Sequence, residues 1–255
     1  MLCMTRRLKL RLPKKSNYPN SLKILNRAGR SAEYHQLVEA SASAYFETKG
    51  PAKWLFMKRF QVAVDYLHQI GPVANALDAG TGIGFFLPTL SRTAKNVWAL
   101  DYANHTLRYA KGLCRRLKIK NASFKQGDLT KLPFPAKKFD VIVALSILEH
   151  IPPKQLPTVI GHFKRVLKPG GYLIAGYPNE GDKIFKLVQQ AEKIIMRPQV
   201  FKSIHDDKRK YKPLGHVAKS FQIDKAIKDK LKVINYKALP LNGLKFYSLS
   251  LNQKI

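Results

Sequence analysis

The sequence is short of cysteine, of acid and of long apolar runs. Its two cysteines, Cys3 and Cys114, stand far apart, which excludes a disulfide framework or a cysteine metal cluster and fits a reducing compartment. No apolar stretch approaches the roughly 20 residues of a membrane-spanning helix. The longest are of strand length, as in Val141 to Leu145. A continuous apolar segment of the kind that directs secretion is also missing near the N-terminus. The expected location is the cytoplasm, either free or peripheral at a membrane surface.

Acid is outnumbered heavily, with 16 Asp and Glu against 46 Lys and Arg and a net charge of +30. The excess is uneven. Residues 1–30 hold nine basic residues and no acid, residues 31–180 hold twenty against ten, and residues 181–255 hold seventeen against six. A basic N-terminal arm (1–30) and a basic C-terminal third thus flank a milder core. Such a balance suits a polyanionic neighbour, an anionic membrane face or a nucleic acid, or else a solvated Lys-rich surface. Within the arm, Arg6 to Lys15 alternates basic residues with leucine, a pattern open to a short edge strand, a disordered arm or an organellar targeting segment.

At 255 residues the chain is long enough to bury a sizeable core. Its most informative stretch is Leu77-Asp78-Ala79-Gly80-Thr81-Gly82-Ile83-Gly84, followed about twenty residues later by Asp101 after Val97-Trp98-Ala99-Leu100. An apolar strand runs into a glycine turn. Gly80 and Gly82 let the backbone adopt positive φ and approach a ligand, while Gly84 lets a helix expected from Phe85 to Thr93 pack tightly on the sheet. The third glycine comes one residue too early for a dinucleotide fingerprint, and Asp78 before the loop would repel a pyrophosphate. Asp78 suits an ammonium group or loop amides instead, and Asp101 is placed to accept two hydrogen bonds from a ribose diol.

Five blocks in order carry a family resemblance. After the glycine stretch come Leu100-Asp101-Tyr102, then Gln126-Gly127-Asp128-Leu129, then Phe139-Asp140-Val141-Ile142-Val143-Ala144-Leu145-Ser146-Ile147-Leu148-Glu149-His150-Ile151, and last Arg165-Val166-Leu167-Lys168-Pro169-Gly170-Gly171-Tyr172-Leu173. From about Tyr45 to Tyr177 the sequence resembles the class I S-adenosylmethionine-dependent methyltransferases, in the small-molecule and lipid (type 11-like) branch. The resemblance implies an α/β fold: a Rossmann-like, seven-stranded, mostly parallel sheet with a C-terminal antiparallel hairpin and helices on both faces. It implies S-adenosylmethionine as cofactor, with contacts from Asp78, Gly80, Thr81, Gly82, Asp101, Tyr102, Asp128, Leu129 and Leu145. Asp128 would take the adenine amino group and the Leu129 amide a ring nitrogen; capping of the turn is the other reading of Asp128.

Strand and helix patterns alternate through this region, as a parallel sheet requires, and right-handed crossovers gather Gly80, Asp101, Asp128 and Leu145 along one edge. Met57, Phe60, Val64 and Leu67 recur at helical spacing and face the sheet. Tyr45 is either a cofactor contact or a packing residue, and Arg59, on the polar face beside Lys58, either reaches the methionine carboxylate of the cofactor or, as the leading expectation, is solvated. Asp140 reads as structural, and Lys168 to Gly171 as a helix stop and turn. Leu231 to Tyr236 and Leu244 to Leu251 are the expected hairpin, and residues 178–230 an insertion covering the acceptor, with His205 and His216 facing either substrate or solvent. The expected domain therefore runs over 31–255.

The end of the fourth strand bears on the acceptor. Ser146-Ile147-Leu148-Glu149-His150 lacks the Asn/Asp-Pro-Pro-aromatic turn of enzymes that methylate exocyclic amines of bases or glutamine and the Pro-Cys pair of pyrimidine C5 chemistry. His150 is either a general base for an acceptor hydroxyl or a packing histidine. The leading expectation is methyl transfer to a small-molecule or lipid-linked acceptor. An RNA methyltransferase and a non-catalytic cofactor-binding subunit are the alternatives.

Overall fold

The computed structural model describes residues 8–18, 46, 50–179, 216–241 and 244–255. Helix α1 (Gly50–Ile70) precedes strand β1 (Val73–Ala79), the one-turn helix α2 (Leu87–Leu90), β2 (Ala94–Asp101) and α3 (Asn104–Arg116). There follow β3 (Ala122–Gln126), β4 (Phe139–Leu145), α4 (Leu156–Val166), β5 (Leu167–Pro178), α5 (Ser220–Lys228), β6 (Lys232–Leu241) and β7 (Leu244–Gln253). The seven strands lie in the order β3-β2-β1-β4-β5-β7-β6. β1 to β5 are parallel, and β7 pairs antiparallel with both β5 and β6. This is the expected Rossmann-like sheet with its C-terminal hairpin. The order reverses between β1 and β4, so the carboxyl ends of β1, β2 and β4 open onto one crevice.

The sheet separates two apolar layers. Phe60, Val64 and Leu67 of α1 are buried on one face with Leu87, Leu90 and Cys114, and Met57 packs at the margin. Leu156, Val159, Ile160 and Phe163 of α4 fill the other face together with Ile223 and Ile227 of α5. β4 is buried along nearly its whole length, which its continuous Val-Ile-Val-Ala run allows because both faces are covered.

Three elements differ from the sequence expectation. The helix after the glycine turn occupies only Leu87–Leu90, not Phe85 to Thr93, because Pro88 withholds an amide and the flanking bonds, Leu87 to Gly84 and Thr93 to Leu90, are of the tighter i→i+3 kind. Lys168 to Gly171 ends α4 but lies within β5, where Phe139 pairs with Leu167 and Val141 with Tyr172; Gly170 takes φ of +73° there and its amide donates to Lys254. Residues 8–18 lie against the domain. Leu8, Leu10 and Leu12 pack on the first layer, the Arg11 backbone exchanges two hydrogen bonds with the Thr89 hydroxyl, and Tyr18 is buried.

Asp140 is structural, as expected. It accepts from the Asn75 amide and from Lys168 Nζ, each at 2.7 Å, so one carboxylate fastens β4 to the starts of β1 and β5. Asp140→Ala should lower stability by about 1–2 kcal/mol, given partial exposure of the pair, and leave cofactor affinity unchanged. Chemical denaturation with the m-value held constant measures this, and an unchanged midpoint would remove Asp140 from the framework.

Candidate active site

The glycine turn is held by β2. The amides of Gly80 and Thr81 both donate to the Leu100 carbonyl at 2.9 Å, while Asp101 Oδ2 accepts from the Gly82 amide at 2.7 Å and Oδ1 from the Ala103 amide at 2.9 Å. Gly80, Gly82 and Gly84 all have positive φ, of +77°, +53° and +80°, so side chains would be strained at each. A Cβ at Gly82 would project into open space, whereas one at Gly84 would stand 3.0 Å from Ala110 and Leu87. Gly82 is therefore the open lip of the loop, and Gly84 makes its close contact with Ala110 of α3 as well as with the helix that follows it. Tyr18 supports the loop from behind, its hydroxyl donating to the Ile83 carbonyl at 3.2 Å.

Asp78 lies buried under the same turn and accepts from Thr81 Oγ1 at 2.6 Å. Burial pushes its carboxyl up to about 7; the Thr81 hydroxyl draws it back and the neighbouring Asp101 adds a smaller push upward. Tyr102 is the exposed residue at the β2 exit. Asp128 caps the short turn Leu129–Lys131, with Oδ1 accepting from the Thr130 amide at 2.8 Å, and Leu129 is buried beside it. The capping reading of Asp128 thus holds, and a carboxylate with two oxygens can cap and still receive a ligand amine.

The exit of β4 forms the other wall. Leu145 ends the strand, and Ser146 follows with φ of +56°, a left-handed conformation uncommon outside glycine. Ser146 Oγ accepts from Arg59 at 2.7 Å and lies 2.8 Å from the Tyr247 hydroxyl. Arg59, expected on a solvated face, is only 4% exposed, with its guanidinium 4.8 Å from the Phe60 ring centroid and 5.3 Å from that of Tyr247. The sequence placed Arg59 beside Lys58 and offered no sign that Tyr247 of the distant hairpin would cover it. Ile147 then leans over the cofactor loop, so that a Cβ on Gly80 would come within 2.6 Å of its side chain.

His150 sits at the end of a short turn, Leu148–His150, with buried Glu149 before it. Against it stands His216, the ring centroids 5.0 Å apart. Of the two insertion histidines, His216 therefore joins the β4 exit; His205, like Tyr45 and most of 178–230, lies outside the described residues. Sequence reading named His150 and His216 separately, and the 65 positions between them gave no reason to pair them.

This geometry fits a nucleoside cofactor bearing a charged tail: an acidic residue at a strand end for a diol, an open glycine lip and a buried arginine across the crevice. The comparisons agree. Residues 76–171 match the model of the methyltransferase domain family. The chain is 28% identical over 144 residues to a demethylmenaquinone methyltransferase of Tropheryma whipplei, covering 56% of this chain and 58% of that one, and 34% identical over 113 residues to the sterol 24-C-methyltransferase ERG6B of Gibberella zeae, covering 41% and 28%. The chain spans about half the length, or less, of the relatives it matches. Among solved structures, a SAM-dependent methyltransferase from Aquifex aeolicus aligns with a TM-score of 0.60 at 18% identity over 86% of this chain and 98% of that one. The N-methyltransferase NodS of Bradyrhizobium japonicum, in complex with S-adenosyl-L-homocysteine, aligns at 0.57 and 18% over 92% and 99%.

Burial of Asp78 makes stability depend on pH. Its folded value is raised, so the stability it contributes is complete below about pH 4 and is lost as pH rises through about 7. Between pH 5 and pH 8 the ligand-free protein should lose roughly 2–3 kcal/mol relative to Asp78→Asn. Urea unfolding of both proteins at each pH measures this; parallel curves would mean that Asp78 ionises as an exposed carboxyl does.

Proposed function

We propose that this chain, which carries a class I S-adenosylmethionine-dependent methyltransferase domain, transfers a methyl group to a small-molecule or lipid-linked acceptor. The observation that supports it most strongly is the double use of Asp101, whose carboxylate ties down Gly82 and stands at the β2 end beside the open lip of the loop. In this reading the remaining lone pairs of Asp101 receive the ribose hydroxyls. Asp78 and the open lip at Gly82 border the amino acid tail, Arg59 offers its guanidinium to the tail carboxylate, and Asp128 and Leu129 border the adenine. Tyr102 and Leu145 flank the pocket.

The bound cofactor supplies a sulfonium methyl that is already strongly electrophilic. The protein's part is then chiefly positional: it holds an acceptor atom in line with that methyl at about 3–3.5 Å and keeps water out. The β4 exit, with His216 against it, is the part nearest the acceptor in this reading. The names of the quinone and sterol relatives support an apolar or lipid-linked acceptor, and the basic surface supports work at an anionic membrane face. The same charge is the one observation favouring an RNA acceptor, against the missing amine and C5 motifs after β4.

Asp101→Ala should cost about 1.5–3 kcal/mol of cofactor binding, a loss of more than tenfold in affinity. Calorimetric titration with S-adenosylhomocysteine measures it, with thermal unfolding as a check on the fold. Equal affinity in the variant, or tighter binding of NADH than of S-adenosylhomocysteine by the natural chain, would overturn the assignment.

A further inference from the structure

At the β4 exit, Glu149, His150 and His216 each offer one ligand atom, and these atoms all lie within 4.8 Å of one another. It is the one such group of His, Cys, Asp or Glu among the described residues. Its members come from two segments that the backbone locks together, since the amides of Val217 and Ala218 both donate to the Glu149 carbonyl, at 2.8 and 3.1 Å. His216 is thereby delivered to the pair just before α5, and α5 is itself anchored by Asp224, which accepts from the Tyr177 hydroxyl of β5. Exposure rises across the cluster. Glu149 is 2% exposed, His150 is half-buried and His216 is exposed, so the group has a rigid floor and an open top.

We propose that Glu149, His150 and His216 bind a single divalent first-row transition cation, with a coordination position left open toward the acceptor. Two imidazoles and one carboxylate form the donor set of three-ligand sites that keep a position for solvent or substrate. Calcium and magnesium prefer all-oxygen sets, and soft-metal sites need thiolates, which this cluster lacks. With metal–nitrogen bonds of about 2.0–2.1 Å, tetrahedral ligand atoms stand about 3.3 Å apart. The ligand atoms, all within 4.8 Å of one another, must draw in by up to about 1.5 Å to reach that spacing.

Such a cation narrows the acceptor class, and this part rests on the methyltransferase reading above. An acceptor hydroxyl coordinated there gives its proton to bulk water near neutral pH, because a bound cation lowers the pKa of a ligated O–H by many orders of magnitude. The oxygen lone pair then forms the O–C bond as the C–S bond breaks, and sulfur retains the electron pair. His150 accordingly serves as a ligand, and the acceptor is an alcohol, phenol or enol.

The test uses the full, untagged chain stripped with chelator and titrated with zinc chloride by calorimetry, with cobalt(II) absorption as a second reading of coordination. One zinc should bind per chain, His216→Ala and Glu149→Gln should each weaken it at least tenfold, and cobalt should give the absorption of a four- or five-coordinate site. His216→Ala, an exposed position, should keep its S-adenosylhomocysteine affinity within about threefold, and Asp101→Ala should keep its zinc. Zinc bound equally by His216→Ala and the natural chain, or no stoichiometric zinc in either, would overturn the site. Stoichiometric zinc with no S-adenosylhomocysteine binding would uphold the site and overturn the methyltransferase reading.

Discussion

One carboxylate organises the cofactor side of this protein. Asp101 ends β2 with both oxygens turned to backbone amides, one on the glycine loop and one at the start of α3. These bonds select the path of a loop with positive-φ glycines at three alternate positions, because glycine supplies the freedom for such a path and nothing to select it. The Leu100 carbonyl adds two further amides to the same strand end. Charge-assisted bonds of this kind are short and strong, and they leave a carboxylate with acceptor capacity pointing at the crevice. The order of the loop is therefore the property of one side chain, and the carboxyl of the buried Asp78 beneath it is raised chiefly by burial and further by Asp101.

The β4 side of the crevice is organised differently, by elements far apart in the chain. Arg59 comes from the first described helix, Ser146 from the β4 exit and Tyr247 from the final strand, and they meet within hydrogen-bond reach. The antiparallel hairpin thus does more than complete the sheet. By inserting β7 between β5 and β6 it brings Tyr247 over a buried guanidinium. Ser146 bears the conformational cost of the turn that follows, and that turn sends Ile147 over Gly80 and Glu149-His150 toward His216.

Much of this was legible in the sequence, and the boundary between legible and hidden is physical. The alternation of strands and helices, the hairpin, the glycine turn and the structural place of Asp140 followed from local features, periodicity and turn chemistry, while the seven-stranded sheet followed from the family resemblance. Helix α2 was overestimated because a proline inside a short apolar run shortens a helix without changing its pattern. Arg59 was misplaced because side-by-side charges on a helix look solvated until a distant aromatic covers one of them. The His150 and His216 pairing was invisible for the same reason, since two backbone hydrogen bonds from Val217 and Ala218 create it. Contacts that depend on a partner remote in sequence have no local signature.

The most direct test of the central claim is a crystal structure of the chain grown with S-adenosylhomocysteine. The account predicts both ribose hydroxyls on the Asp101 carboxylate, the glycine loop in its present path with Gly82 against the ligand, and the amino acid tail between Asp78 and Arg59. A ligand bound elsewhere, or one in the crevice whose ribose makes no contact with Asp101, would contradict it.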